Sequence, residues 1–156
     1  MRRLAIAAVT VAVVLFASGL SAQGTSFAGK WAPDADKNPA PAAGGGGGRG
    51  GGRGGGGPMT VTQDAKTLTI ERDMGGTALK TVYNLDGSES KNSMPGRNGG
   101  AATEQVSTAK WDGAKLNITT KTANGDRTVS WYLEGGELVQ ETQGQNGPVK
   151  VYYKKG

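Results

Sequence analysis

Over much of its second half the chain alternates apolar and polar residues. Leu116 and Ile118 alternate with Lys115, Asn117 and Thr119; Val129, Trp131 and Leu133 with Thr128, Ser130 and Tyr132; Val149, Val151 and Tyr153 with Lys150, Tyr152 and Lys154. A period of two is the mark of half-buried strands, whose successive side chains point to opposite faces. A spacing of 15 residues from an aliphatic to an aromatic residue recurs three times, from Leu68 to Tyr83, Leu116 to Trp131 and Leu138 to Tyr153. Each interval holds a turn signal: Gly75-Gly76, Asn124-Gly125 and Asn146-Gly147. Three β-hairpins are predicted, because such glycine-containing pairs adopt the positive φ of turns that match strand twist.

Shorter runs extend the pattern upstream. Phe27 to Trp31 predicts a strand with Phe27, Gly29 and Trp31 on one face, and Met59 to Gln63 a second. Leu68 and Ile70, then Thr81, Tyr83 and Leu85, form faces of the first hairpin. Threonine, valine and aromatics dominate these runs, and no segment of the presumed mature chain shows a helical period. Between the strands, 39–58 is Pro/Gly-rich with Arg49 and Arg53 inside a glycine tract, and 86–102 is rich in Gly, Ser and Asn. Both are predicted to be loops, the first disordered, since such composition cannot offset the entropy of ordering. About eight to nine strands in up-and-down succession follow. With no helix to cover it, the apolar face of an antiparallel meander is buried by closure into a β-barrel, with a two-sheet sandwich as the alternative.

Residues 1–22 carry the marks of a cleaved signal peptide: Arg2-Arg3, an apolar run from Leu4 to Ala17, and the small-residue exit Leu20-Ser21-Ala22. The run is too short to span a bilayer comfortably, so no integral span is expected after cleavage. The remaining 23–156 are read as one domain, exported to the periplasm or extracellular space of a bacterium. No cysteine is present, so no disulfide staples it and packing alone must hold it. Charge changes the picture little. Removing Arg2 and Arg3 from 18 basic residues leaves 16 against 13 acidic, a net of +3. That field is too weak to argue for a polyanion, and nucleic acid is not an expected partner.

Against this pattern, three groups of motifs carry a resemblance. Gly29-Lys30-Trp31 is a G-x-W on the first strand, as in the lipocalins, and Tyr152-Tyr153-Lys154 resembles the closing strand of fatty-acid-binding proteins. The order of G-x-W, a Pro/Gly loop, Tyr83 to Gly87, Lys110 to Gly113 and Val151 to Lys154 resembles small secreted bacterial lipocalin-like proteins. The resemblance implies a calycin-type barrel and at most a small hydrophobic ligand inside it.

Chemistry is constrained by what the chain lacks. Without histidine or cysteine there is no Ser-His-Asp or Cys-His nucleophile and no usual zinc or haem ligand. Glu71, Glu104 and Glu141 are the strand carboxylates that could converge on a substrate, but a catalyst is not expected; neither is a metal or another cofactor. The aromatics Trp31, Tyr83, Trp131 and Tyr153 fall on predicted inward faces, with Arg72 and Arg127 on or beside them. They either fill a small barrel or line a pocket in which an arginine or hydroxyl orients a ligand. The expected function is an exported, non-catalytic, lipocalin-like barrel binding a small apolar or amphipathic molecule. The alternative is a filled barrel acting as a structural or protein-interaction module of the envelope.

Overall fold

A computed structural model describes residues 24–38, 57–73, 76–95, 100–144 and 147–156. The proposed signal segment, most of the Gly/Arg-rich connection including Arg49 and Arg53, and 96–99 lie outside the described residues. The protein is all-β. Ten strands follow in order: β1 (Gly29–Pro33), β2 (Met59–Gln63), β3 (Thr67–Asp73), β4 (Ala78–Asn84), β5 (Glu89–Met94), β6 (Thr103–Asp112), β7 (Lys115–Thr122), β8 (Gly125–Glu134), β9 (Glu137–Gly144) and β10 (Gly147–Lys155). They form one antiparallel sheet in the order β4-β3-β2-β1-β10-β9-β8-β7-β6-β5. The meander therefore joins its first strand to its last and curls into a nearly closed barrel, not the alternative sandwich.

Each of the three spacings of 15 residues is a cross-strand pair: Leu68 faces Tyr83, Leu116 faces Trp131 and Leu138 faces Tyr153. Gly76, Gly125 and Gly147 have φ of 90°, 106° and 111°, conformations that L side chains resist. The three hairpins are thus pinned at both ends, by turn chemistry and by an apolar pair. Inward positions from both halves of the sheet meet in one core containing Phe27, Trp31, Met59, Val61, Leu68, Ile70, Ala109, Leu116, Ile118, Trp131, Leu138 and Tyr153.

Two expectations are corrected. The stretch 86–102 holds strand β5. Its inward residues, Ser90 and Asn92, are polar, so it has no apolar alternation, yet they are only 6% and 7% exposed. They are buried because they close the barrel. No backbone ladder joins β4 to β5. Instead the Asn92 amide acts as a surrogate peptide: its Oδ1 accepts from Val82 N–H at 2.8 Å and its Nδ2 donates to Val82 O at 2.9 Å. Ser90 Oγ accepts from Asn84 N–H at 2.7 Å, and Asn84 Nδ2 donates to Glu89 O.

The second correction concerns β1, which begins at Gly29 and excludes Phe27. Gly29 has φ of 142°. Ladder pairing with β2 ends there, and Phe27, two residues earlier, is held by the Gln63 side chain and buried in the core.

The far edge of β1 is finished in the same way as the β4–β5 seam. Beyond Pro33, the turn 34–38 takes over as partner of β10. Asp34 N–H donates to Tyr152 O, and Asn38 both donates to Tyr152 O and accepts from Tyr152 N–H at 2.8 Å. Asp34 is 1% exposed, and its Oδ1 receives Lys154 Nζ at 3.0 Å and Asp36 N–H at 2.9 Å. Lys37 pairs with Glu137 on the β8–β9 hairpin. Burial pushes the Asp34 carboxyl up, but the hydrogen bonds from Lys154 and Asp36 N–H and the Lys154 charge together hold it below its ordinary range.

Two outcomes follow from these closures. Asn92→Ala leaves the Val82 N–H and C=O without their rungs and is expected to lower stability by about 1–3 kcal/mol in urea unfolding. Ser93→Ala, on the outer face, is expected to change it by less than about 0.5 kcal/mol; equal effects would show that the seam does not depend on Asn92. Because the Asp34 pKa is depressed in the folded state, its contribution is present above the unfolded carboxyl pKa and lost as pH falls through the folded value. Asp34→Asn should therefore destabilise at neutral pH, with the gap to the native protein narrowing in strongly acidic buffer.

Candidate functional site

The barrel interior changes character along the strands. On β3, β8, β9 and β10 the buried inward residues Leu68, Trp131, Leu138 and Tyr153 lie towards one end. Four residues further along each strand the inward positions Arg72, Arg127, Thr142 and Val149 are partly or fully exposed. Midway between these levels the two sides differ. Ile70, Thr81, Asn92, Ser107 and Ile118 on β3 to β7 are buried, whereas Val129, Gln140 and Val151 on β8 to β10 retain exposure. The interior is thus filled at one end and, against the β8–β10 wall, remains accessible from the other. It has the form of an eccentric cup.

Phe27 makes the filled end. It is fully buried, with its ring stacked on Trp111 at 5.7 Å between centroids and set edge-on to Trp131 at 6.0 Å. Its main chain is fastened on both sides: Gln63 Oε1 accepts from Phe27 N–H at 2.8 Å, and the Trp31 indole donates to Phe27 O at 2.8 Å. Gln63 Nε2 also donates to Thr25 O. Further back, a Cβ added to Gly24 would fall 2.3 Å from the Trp111 ring, so only glycine can lie this close. The segment 24–28 is a stopper built into the lower barrel.

A chain of soft and polar groups crosses the interior above it. Arg72 Nη2 lies 3.3 Å from Met59 Sδ, Gln140 Nε2 lies 3.9 Å from the same sulfur, and Tyr153 Oη approaches Gln140 Oε1 at 3.5 Å. Arg72, Met59 and Trp31 also line an open pocket of about 480 Å³, shared with Pro58, Ala78 and Lys30. Arg72 forms no ion pair with a described carboxylate.

The six residues singled out in the sequence have distinct fates. Trp31, Trp131 and Tyr153 are core residues, 4%, 3% and 1% exposed, and the Trp31 indole N–H is consumed by Phe27 O. Tyr83 is half-buried beside the filled end of β4; burial raises its hydroxyl pKa against the opposing pull of the Arg72 charge. Arg72 points inward, and Arg127, across from Thr120, stands exposed at the rim. Arg72 therefore meets the interior directly, whereas the aromatics build its floor. Phe27, Met59 and Gln140 were not expected at the site. Gln140 was legible from the alternation Leu138, Gln140, Thr142, and the burial of Phe27 from its place on the face of Trp31.

The strand carboxylates do not converge. Glu71, Glu104 and Glu141 lie on the outer surface, paired with Lys80 at 3.9 Å, Lys91 at 3.4 Å and Lys150 at 4.0 Å. Among the described residues no Asp or Glu occupies an inward register position on β3, β8, β9 or β10, although Glu71 and Asp73 border the open pocket beside Arg72.

No family model matches the chain. No curated protein matches it either. Among solved structures, the chain is similar to the REP1-NXSQ fatty acid transporter, solved as a single-site mutant, with a TM-score of 0.51 at 14% identity over 64% of this chain and 71% of that one. The likeness concerns the fold alone, a nearly closed antiparallel β-barrel.

Phe27→Ala is expected to cost about 3–5 kcal/mol, the range for emptying a buried aromatic site, read by chemical unfolding. A loss below about 1 kcal/mol would mean that the stopper contributes little to the core.

Proposed function

We propose that this chain is an exported, non-catalytic barrel of the kind found among small secreted bacterial lipocalin-like proteins, and that it binds a small apolar or amphipathic molecule in the cup. The observation that carries the reading is the exposure of Val129, Gln140 and Val151 above a sealed aromatic floor. An inward apolar wall left partly exposed costs hydrophobic stabilisation unless something covers it. Ligand sites are concave, mainly apolar and furnished with a few polar groups that fix orientation. Here those groups are the Gln140 amide and the guanidinium of Arg72. The fatty acid transporter that shares the fold is in keeping with a hydrophobic ligand. No helix among the described residues is long and apolar enough to cross a membrane.

The second reading, a structural or protein-interaction module of the envelope, draws on the mid-level side chains of β3 to β7, which fill that half of the barrel. Native mass spectrometry of protein purified from its own envelope fraction, with titration of a fluorescent apolar probe, separates the two. A co-purified small molecule or saturable probe binding supports the first; a bare mass with no saturable signal supports the second. If Arg72 orients an anionic head, Arg72→Ala should weaken binding of an anionic amphiphile about tenfold or more, the loss expected for a hydrogen bond to a charged group, and leave a neutral one of equal tail length nearly unchanged. Equal losses for both would remove Arg72 from that role.

A further inference from the structure

We propose that the filled end of the barrel is a peptide-recognition site, a chamber for an aromatic side chain carried on an extended main chain, and that residues 25–27 occupy it as the chain's own ligand. Three features set this segment apart from the core around it. None of 24–28 belongs to a strand, and ladder pairing with β2 begins only at Gly29, whose φ is 142°. Phe27 is fully buried, while Ser26 and Ala28 on either side of it are exposed. Among the described residues, the barrel meets the main chain of this segment with side chains rather than with rungs of the sheet. Gln63 Oε1 accepts from Phe27 N–H at 2.8 Å, Gln63 Nε2 donates to Thr25 O at 3.2 Å, and the Trp31 indole donates to Phe27 O at 2.8 Å.

That is how a binding site reads a peptide. One amide, that of Gln63, offers both a donor and an acceptor to the main chain and is indifferent to the side chain between. Specificity then rests on the ring. Phe27 is stacked on Trp111 at 5.7 Å and set edge-on to Trp131 at 6.0 Å, the two arrangements that flat rings favour and a branched aliphatic chain cannot reproduce. Three residues earlier the fit is close, because a Cβ on Gly24 would fall 2.3 Å from the Trp111 ring. The chamber therefore recognises a glycine, two residues and then an aromatic. A segment of a partner protein with that pattern competes with 24–28 for the same place. A tethered segment acts at an effective concentration of about 1 mM, so the native chain keeps weak competitors out.

The experiment titrates the purified chain, native and Phe27→Ala, with the acetylated and amidated peptide Gly-Thr-Ser-Phe-Ala, a copy of residues 24–28, and with the same peptide carrying alanine in place of phenylalanine. Tryptophan fluorescence reads binding, and the urea midpoint reads stability. The expected result is saturable binding of the phenylalanine peptide to Phe27→Ala, about tenfold or more tighter than to the native chain, with a rise in the variant's midpoint and no binding of the alanine peptide. A variant that folds only in the presence of the phenylalanine peptide supports the same conclusion. Equal behaviour of the two peptides, or no recovery of the variant by either, would overturn it. Native-state hydrogen exchange tests release without a variant. The Phe27 amide should exchange through a local opening, about tenfold or more faster than the slowest amides of the β7–β8 ladder, since a segment held as a ligand can leave while the sheet stays folded. Exchange of both only on global unfolding would make Phe27 an ordinary core residue and overturn the proposal.

Discussion

The barrel depends on a seam where no strand ladder exists. Every other neighbour in the sheet is joined by paired peptides, but β4 and β5 are joined through the side chains of Asn92, Ser90 and Asn84. An amide side chain carries the same donor and acceptor as a peptide bond, so one well-placed asparagine can serve both backbone groups of Val82. The need is physical: a backbone group turned from water without a partner costs about as much as the interaction it forgoes. Asn38 repeats the device at Tyr152, where β1 is too short to continue alongside β10. Two asparagines thus complete a cylinder that ladder pairing leaves incomplete.

What could be read in advance divides along the same line. The three hairpins were legible because local chemistry and long-range burial agree there: a glycine tolerant of positive φ sits midway between an aliphatic and an aromatic residue that must both be buried. Strand β5 was not, because Ser90 and Asn92 are inward and polar, and alternation of apolar residues is the signal by which strands are recognised. Phe27 is buried with Trp31, as its place on the same face predicts, but the strand expected from the alternation starts two residues too early. Phe27 continues the alternation of Gly29 and Trp31, and only the backbone conformation of Gly29 breaks the line. Among the site residues, inward register was legible for Arg72 and Tyr153, but which inward positions are sealed and which open depends on a segment arriving from outside the sheet.

Outside and inside follow opposite electrostatic rules. On the outer surface, opposite charges face one another across strands, as in Lys80 with Glu71 and Lys91 with Glu104. Such exposed pairs add little stability and mainly keep the surface balanced and soluble. The inward strand positions of β3 and β8 hold guanidinium without carboxylate among the described residues, while Glu71 and Asp73 stand beside Arg72 at the pocket mouth.

The pairing of β1 with β10 has a consequence for how the chain comes to be folded. The first strand pairs early with β2 on one side, but on its other side it finds its partner only in β10, the last strand of the sequence. Asp34 and Asn38 likewise wait for Tyr152 and Lys154. A chain emerging from its N-terminus can form the hairpins one by one, but its cylinder stays open at two edges until the C-terminus arrives. Closure must then bring together residues more than a hundred positions apart, the kind of contact that slows folding most. The contacts that close the cylinder between β1 and β10 thus rest on Tyr153 to Lys155, at the end of the last strand.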